Sequence, residues 1–227
     1  MEQKKRQDSK VDLETMAKRL TDFGLYFITD RGLSKKTVVD DAIAAIKGGA
    51  RVIQYREKEI PAKQMVKEAI EIRKACKRHD ALLLINDRVD VALAVDADGV
   101  HLGQEDMPYD CARKVLGYNK IIGLSANNVE IALRNQEFGA DYTSIGPIYY
   151  TTTKKDAKAP IGLEPIKKLR EKLRVPFVAI GGINESNIEE VLKAGARNIA
   201  MVSAIVAKND VESSVRSYIA KINSYKQ

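Results

Sequence analysis

Short apolar runs alternate with amphipathic stretches along most of the chain. Leu25–Thr29 is the first apolar run, and Thr37–Lys47 follows with Val38, Ala42, Ile43 and Ile46 at helical intervals. Arg51–Tyr55 is the second run; Ala62–Lys77 then places Met65, Ala69, Ile72 and Ala75 on one face. The same alternation continues through Leu82–Ile85 and the helix Val89–Val95, Gly99–Leu102 and Tyr109–Leu116, Ile121–Leu124 and Val129–Phe138. It closes with Tyr142–Ile145 and Leu163–Leu173, Phe177–Ile180 and Asn187–Ala194, and Ile199–Val202 and Val211–Tyr225. Continuous apolar strands, each covered by a helix, mark a parallel sheet buried on both faces. Eight such units predict an α/β chain folded as a single (β/α)8 TIM barrel. An open doubly wound sheet is the competitor, but no Gly-x-Gly-x-x-Gly follows the first strand.

Residues 1–23 stand outside this pattern. They read as a polar tail and an extra N-terminal helix, with Val11, Leu13, Met16, Ala17 and Leu20 at roughly helical spacing, ahead of a barrel spanning 24–227. The stretch from Gly146 to Gly162 is polar and long, a length that suits an active-site loop rather than a linker.

Composition narrows the partners. With 44% hydrophobic and 30% charged residues, the 227-residue chain is an ordinary globular sequence. A net charge of +7 favours anionic partners. Lysine and arginine are spread out and tryptophan is absent, so no stacking platform for nucleic acid is expected. No apolar run is long enough for a membrane span. The start is charged, so no secretory leader is expected, and Cys76 and Cys111 lack metal-knuckle spacing; both read as thiols of a reducing cytoplasm. The expected partners are small phosphorylated molecules, with a homo-oligomer left open.

In a barrel, chemistry sits where strands end. Gln54-Tyr55-Arg56-Glu57-Lys58 follows Val52-Ile53; in extended backbone Gln54, Arg56 and Lys58 share one side, a set suited to a multiply charged anion. Alone, this stretch reads as a strand running into solvent. Glu57 points the other way and is not expected in the clamp. Asp87 and Asp106 follow the third and fourth strands. Each alone reads equally as a helix cap, or for Asp106 as a turn or cap before Pro108, but on neighbouring strand ends they suit one hard cation, Mg²⁺. Thr151, Thr152, Thr153, Lys154 and Lys155 in the long loop offer hydroxyls and ammonium groups to phosphate, with a solvated loop as the alternative. Gly181-Gly182 and Val202-Ser203 fall where barrels often bind phosphate through backbone N–H groups. His101, inside a strand, reads as a core or mouth histidine rather than a base, and Ser125 fits no Ser-His-Asp arrangement.

In order, these segments resemble the thiamine-phosphate synthase family. The matching motifs are Leu25-Tyr26-Phe27-Ile28-Thr29-Asp30, Gln54 to Lys58, Ile85-Asn86-Asp87, His101 to Asp106, Gly123-Leu124-Ser125, Gly146 to Tyr149 with Thr151 to Lys154, Gly181-Gly182-Ile183 and Val202-Ser203-Ala204. The resemblance implies an enzyme, a transferase of thiamine biosynthesis. It would join the diphosphate of an aminopyrimidine alcohol to a phosphorylated thiazole, giving thiamine monophosphate and pyrophosphate. It also implies that Gln54, Tyr55, Arg56, Glu57, Lys58, Asn86, Ser125 and Lys154 hold the pyrimidine diphosphate. Arg56, Lys58, Ser125 and Lys154 would be the catalytic set, and Asp87 and Asp106 would bind Mg²⁺. Thr151, Thr152, Thr153, Gly182, Val202 and Ser203 would hold the thiazole phosphate. Asn127 stands where relatives often carry histidine. A tautomerase branch of the family relies on a histidine near that point, so a thiazole tautomerase ranks below the synthase, beside a non-catalytic regulator that binds thiamine phosphates.

Overall fold

A computed structural model describes residues 19–154 and 158–225. Its eight strands are β1 (Leu25–Ile28), β2 (Val52–Tyr55), β3 (Leu82–Asn86), β4 (Gly99–Leu102), β5 (Ile121–Ala126), β6 (Tyr142–Ile145), β7 (Phe177–Ala179) and β8 (Asn198–Met201). All pair in parallel and in sequence order, and β1 closes the barrel on β8 with Tyr26 opposite Ala200. The helices between them are α1 (Val38–Lys47), α2 (Ala62–Arg78), α3 (Val89–Ala94), α4 (Tyr109–Leu116), α5 (Val129–Phe138), α6 (Glu164–Lys172) and α7 (Ile188–Lys193). A short turn of helix, α8 (Ser203–Val206), precedes the last helix, α9 (Val211–Asn223). The (β/α)8 expectation holds; α8 breaks no apolar rhythm and left no trace in the pattern. Among the described residues, no helix is long and apolar enough to cross a membrane.

Local chemistry sets several helix starts. Thr37 accepts the Asp40 N–H, Asn128 the Ile131 N–H and Asp210 the Ser213 N–H, each filling one orphan donor of a first turn.

Strand alternation divides the core into two layers. Leu25, Phe27, Ile53, Tyr55, Leu83 and Ile85 face the helices. Tyr26, Ile28, Val52, Leu82, Leu84, Ile121, Tyr142 and Val178 fill the barrel. Most of the expected N-terminal helix lies outside the described residues. Its end, 19–21, is helical, and Leu20, 1% exposed, packs into the inner layer. Asn198 ties this segment down by accepting the Gly24 N–H and donating to the Thr21 carbonyl.

The two-layer rule corrects one expected site residue. Tyr55 is fully buried on the helix side, and its hydroxyl donates to Glu68 of α2 at 2.7 Å. Burial pushes the Tyr55 phenol up, and the adjoining Glu68 carboxylate pushes it further. It braces β2 against α2 and does not reach the barrel mouth. Tyr55→Phe is expected to cost about 1–2 kcal/mol, the range for a hydrogen bond to a charged group, while turnover stays within about twofold. Urea unfolding and steady-state kinetics on one preparation separate the two effects; a loss of turnover without a loss of stability would return Tyr55 to the site.

Candidate active site

The strand ends converge on one polar mouth, whose floor is a chain of buried side chains. Gln54 Nε2 donates to the Tyr26 hydroxyl at 2.8 Å, and the Tyr26 and Tyr142 hydroxyls are 2.8 Å apart. Tyr142 meets His101 Nδ1 at 2.8 Å, and His101 Nε2 meets Ser125 Oγ at 3.0 Å. Burial drives both phenols upward, so both stay protonated at neutral pH. Burial also pushes His101 down to about 4, outweighing the opposing charge of Asp106 and aided by the positive charge of Lys154. A neutral imidazole on the floor supports the reading of His101 as a mouth histidine.

Above the floor sit the charged groups. Asp87 follows β3 with φ 59°, a left-handed conformation that aspartate tolerates better than most residues. Neither aspartate caps a helix, since α3 is capped by Arg88 and α4 by Pro108, neither with a side-chain bond; Asp106 does close a turn with Gly103, the other reading of its position. Instead the Asp87 carboxyl faces Asp106 and lies 3.0 Å from Lys58 Nζ. Burial, then the neighbouring Asp106, raise Asp87 to about 6. Asp106 is fixed by the Gly103 N–H at 2.6 Å. Two neighbouring carboxylates form a donor set suited to a hard cation that takes its other ligands from water and phosphate. Among the described residues no group of three or more acidic, histidine or cysteine side chains could hold a metal alone.

Arg56 points to the same mouth, its Nη1 3.3 Å from Asp30 Oδ2. Thr29 holds the register by accepting the Arg56 N–H through its hydroxyl at 2.9 Å. Asn86, at the end of β3 and 7% exposed, leaves Nδ2 buried without a partner among the described residues. The cost of such an orphan donor is recovered when a ligand accepts from it. Asn127 Oδ1, just past β5, is orphaned in the same way.

Glu57 needs a second correction to the clamp the resemblance implied. Its carboxylate is 6% exposed, paired with Arg31 and accepting the Lys58 N–H at 3.1 Å. Arg31 also grips Glu68, so Glu57 anchors the loop that carries Lys58 and faces away from the mouth, as alternation requires.

The third side is the loop after β6. Ile148 N–H donates to Ile180 O and Tyr149 N–H to Gly181 O, laying this loop along the end of β7. Gly181 and Gly182 make that approach feasible: a Cβ on Gly182 would lie 2.5 Å from the Tyr150 carbonyl oxygen, and both have positive φ. Thr151, whose hydroxyl accepts the Thr153 N–H, therefore sits in a turn beside Gly182, with Thr152 exposed. Val202 and Ser203 follow β8 at the junction with α8, partly and fully open to solvent. Lys155 lies outside the described residues. Sequence reasoning gave no role to Tyr26, Tyr142, Thr29 or Asp30; only the place of Tyr26, Thr29 and Asp30 in the first strand motif hinted at them.

Comparison with known proteins agrees with this geometry. A family model described as thiamine monophosphate synthase matches residues 25–205. The thiamine-phosphate synthase of Chloroflexus aurantiacus is 50% identical over 208 residues, 90% of this chain and 94% of that protein. The Methanosarcina barkeri protein of the same name is 48% identical, over 89% and 92% of the two chains. The solved thiamine phosphate pyrophosphorylase of Pyrococcus furiosus superposes with a TM-score of 0.84 at 40% identity, covering 93% of this chain and all of that one. The (S)-3-O-geranylgeranylglyceryl phosphate synthase of Thermoplasma acidophilum, at 14% identity and TM-score 0.68, shares the fold alone. The chain belongs to the thiamine monophosphate synthase family.

Proposed function

We propose that this protein is a thiamine-phosphate synthase that couples 4-amino-2-methyl-5-(diphosphooxymethyl)pyrimidine with 4-methyl-5-(2-phosphooxyethyl)thiazole. The observation that carries the reading is the charge arrangement at one barrel mouth. Arg56 pairs with Asp30 and Lys58 with Asp87 at the mouth, the loop after β6 carries Lys154, and the floor beneath holds no activated nucleophile.

The chemistry asks for that arrangement. The bond between the methylene carbon and the diphosphate oxygen breaks, and its electron pair leaves with the diphosphate. The aminopyrimidine ring spreads the positive charge left on the methylene. The thiazole nitrogen then gives its lone pair to form the new C–N bond, so the protein supplies neither nucleophile nor strong base. Its work is to neutralise the leaving group and align two partners. Arg56, Lys58 and Lys154 pair with the departing oxygens. Gln54, Asn86 and Ser125 hold the pyrimidine end, and the orphan Asn86 Nδ2 supplies a waiting donor. The Thr151–Thr153 turn, Gly182, Val202 and Ser203 hold the thiazole phosphate. Asp87 and Asp106 would hold Mg²⁺. When bound, it supplies positive charge to the diphosphate oxygens. Buried Cys76 and exposed Cys111, both free thiols, suit a reducing cytoplasm.

The test is direct. Purified protein, both precursors and Mg²⁺ are expected to yield thiamine monophosphate and pyrophosphate in equal amounts, with most turnover lost when Mg²⁺ is omitted. No product from folded protein would sink the assignment. Full turnover by Lys154→Ala with both substrates saturating would remove that lysine from the leaving-group role.

A further inference from the structure

We propose that the buried chain Gln54–Tyr26–Tyr142–His101–Ser125 has one fixed hydrogen-bond direction, which holds His101 as the Nε2–H tautomer and leaves the Ser125 hydroxyl hydrogen free to donate into the mouth. His101 is then a positioning residue that sets what Ser125 can offer a ligand. The inference deepens the synthase reading and rests on it for the ligand, though not for the direction of the chain.

The argument is a count of hydrogens. The Gln54 amide nitrogen faces Tyr26 and donates, so the Tyr26 oxygen is an acceptor there. Each phenol carries one hydrogen, and one hydrogen must lie between Tyr26 and Tyr142. Both hydroxyls are sealed from water, and a buried hydroxyl hydrogen left without an acceptor is costly. Tyr26 therefore donates to Tyr142, and Tyr142 donates to His101 Nδ1. A neutral imidazole that accepts at Nδ1 carries its hydrogen on Nε2. Nε2 then donates to Ser125 Oγ at 3.0 Å, with Ser144 Oγ a weaker second acceptor at 3.5 Å.

Geometry holds the chain in place. The His101 and Tyr142 rings stack at 5.5 Å, and the Tyr26 and Tyr142 rings meet edge to face at 6.0 Å. Asn135 Nδ2 donates to the Ser125 carbonyl at 3.1 Å and fixes the strand beneath the hydroxyl. With one lone pair engaged by His101, Ser125 presents O–H outward. That hydrogen suits an acceptor on the ligand, such as a ring nitrogen or a phosphate oxygen.

The protein has two histidines, so the experiment is clean. Long-range ¹H–¹⁵N spectra of the free protein, with His79→Gln to assign the signals, are expected to show His101 neutral and Nε2-protonated from pH 5.5 to 8. An Nδ1-protonated pattern, or a cationic ring, would overturn the direction of the chain. Gln54→Glu, at a pH where infrared spectra show its carboxyl ionised so that it can only accept from Tyr26, is expected to reverse the chain and switch His101 to the Nδ1–H form; an unchanged tautomer beside the ionised carboxylate would also count against it. In kinetics, Tyr142→Phe cuts the chain and is expected to lower kcat/KM for the pyrimidine diphosphate by about tenfold, leaving KM for the thiazole phosphate unchanged. In a Ser125→Ala background the same change is expected to have no further effect, whereas a purely structural role would give the same loss in both backgrounds. The spectra read the free protein, so a failure of the synthase assignment leaves that portion of the test intact.

Discussion

Asp87→Asn is expected to lower kcat/KM by about a hundredfold or more while making the ligand-free protein more heat-stable at pH 8. The loss follows from the proposed metal role: a carboxamide is a poor ligand for Mg²⁺, and with Asp106 alone the leaving diphosphate meets less positive charge. The gain follows from the same two carboxylates. In the folded chain Asp87 titrates at about 6, raised from the ordinary 3.8 by burial and then by Asp106. A carboxyl whose folded value lies above its unfolded value favours the folded state in its protonated form. Its contribution is fully present below the unfolded value and is lost as pH rises through about 6. At pH 8 the native state therefore carries a repulsion that the unfolded chain escapes. An uncharged side chain removes it. Thermal scans at pH 5 and pH 8 check the sign, the gain being larger at pH 8. Added Mg²⁺ is expected to raise the melting temperature of the parent at pH 8 and to leave that of the variant unmoved. A variant that melts lower than the parent at pH 8, or that keeps its turnover, would show that the pair is a structural ion cluster instead.

The mouth is thus stable only relative to what binds there. Two carboxylates lie side by side, Asn86 Nδ2 and Asn127 Oδ1 are unsatisfied among the described residues, and Asp87 takes a backbone conformation that few residues tolerate. Each is a small cost that a polar ligand can offset. Around these groups the structure is over-determined: Glu57, Arg31, Glu68 and Tyr55 form one network that holds the loop carrying Lys58. Strain at the site and satisfaction behind it are what a preorganised electrostatic site requires.

The barrel was legible because its strands are buried on both faces, and a continuous apolar run bounded by helical periodicity has few other readings. The same alternation rule placed Gln54, Arg56 and Lys58 on one side and set Glu57 apart, both as found. Applied to Tyr55, the same rule puts its side chain on the helix side, where it is found. The floor of the site was not legible. Tyr26 and Tyr142 touch across 116 positions of chain, and a tyrosine in an apolar strand reads as core whether or not its hydroxyl has a partner. Nor did Gly181-Gly182 disclose its main work. A glycine pair at a strand end is consistent with a tight turn, a phosphate cradle or a close backbone approach, and the last needs a segment more than thirty positions away. Register between adjacent strands is what local sequence does not carry.

Register also decides the largest expected loss of stability. Gly123 of β5 lies directly opposite Tyr142 of β6, and a Cβ at that position would lie 2.0 Å from Tyr142 Cζ. No rotamer of a ring packed between His101 and Tyr26 escapes that overlap without leaving the barrel interior. Gly123→Ala must therefore push β5 away from β6 or expel the phenol, which breaks its bonds to Tyr26 and His101. Overpacking together with the loss of both buried hydrogen bonds places the cost at about 3–5 kcal/mol. Gly117→Ala supplies the contrast. Its Cβ would meet nothing within 4 Å, and only the backbone opposes it: φ 70° with ψ −167° is a conformation kept almost wholly for glycine, so a loss of about 1–3 kcal/mol is expected without any overlap. Tyr142→Val in the Gly123→Ala background vacates the contested volume. The pair is then expected to be at least about 1 kcal/mol more stable than the sum of the single losses, because one overlap is being counted twice. Urea denaturation of the four proteins measures the coupling. Additive losses would mean that Gly123 is required for something other than the space Tyr142 occupies. The rescued protein should fold and yet remain catalytically impaired, since the valine restores the packing of the barrel but not the hydrogen-bonded link between Tyr26 and His101.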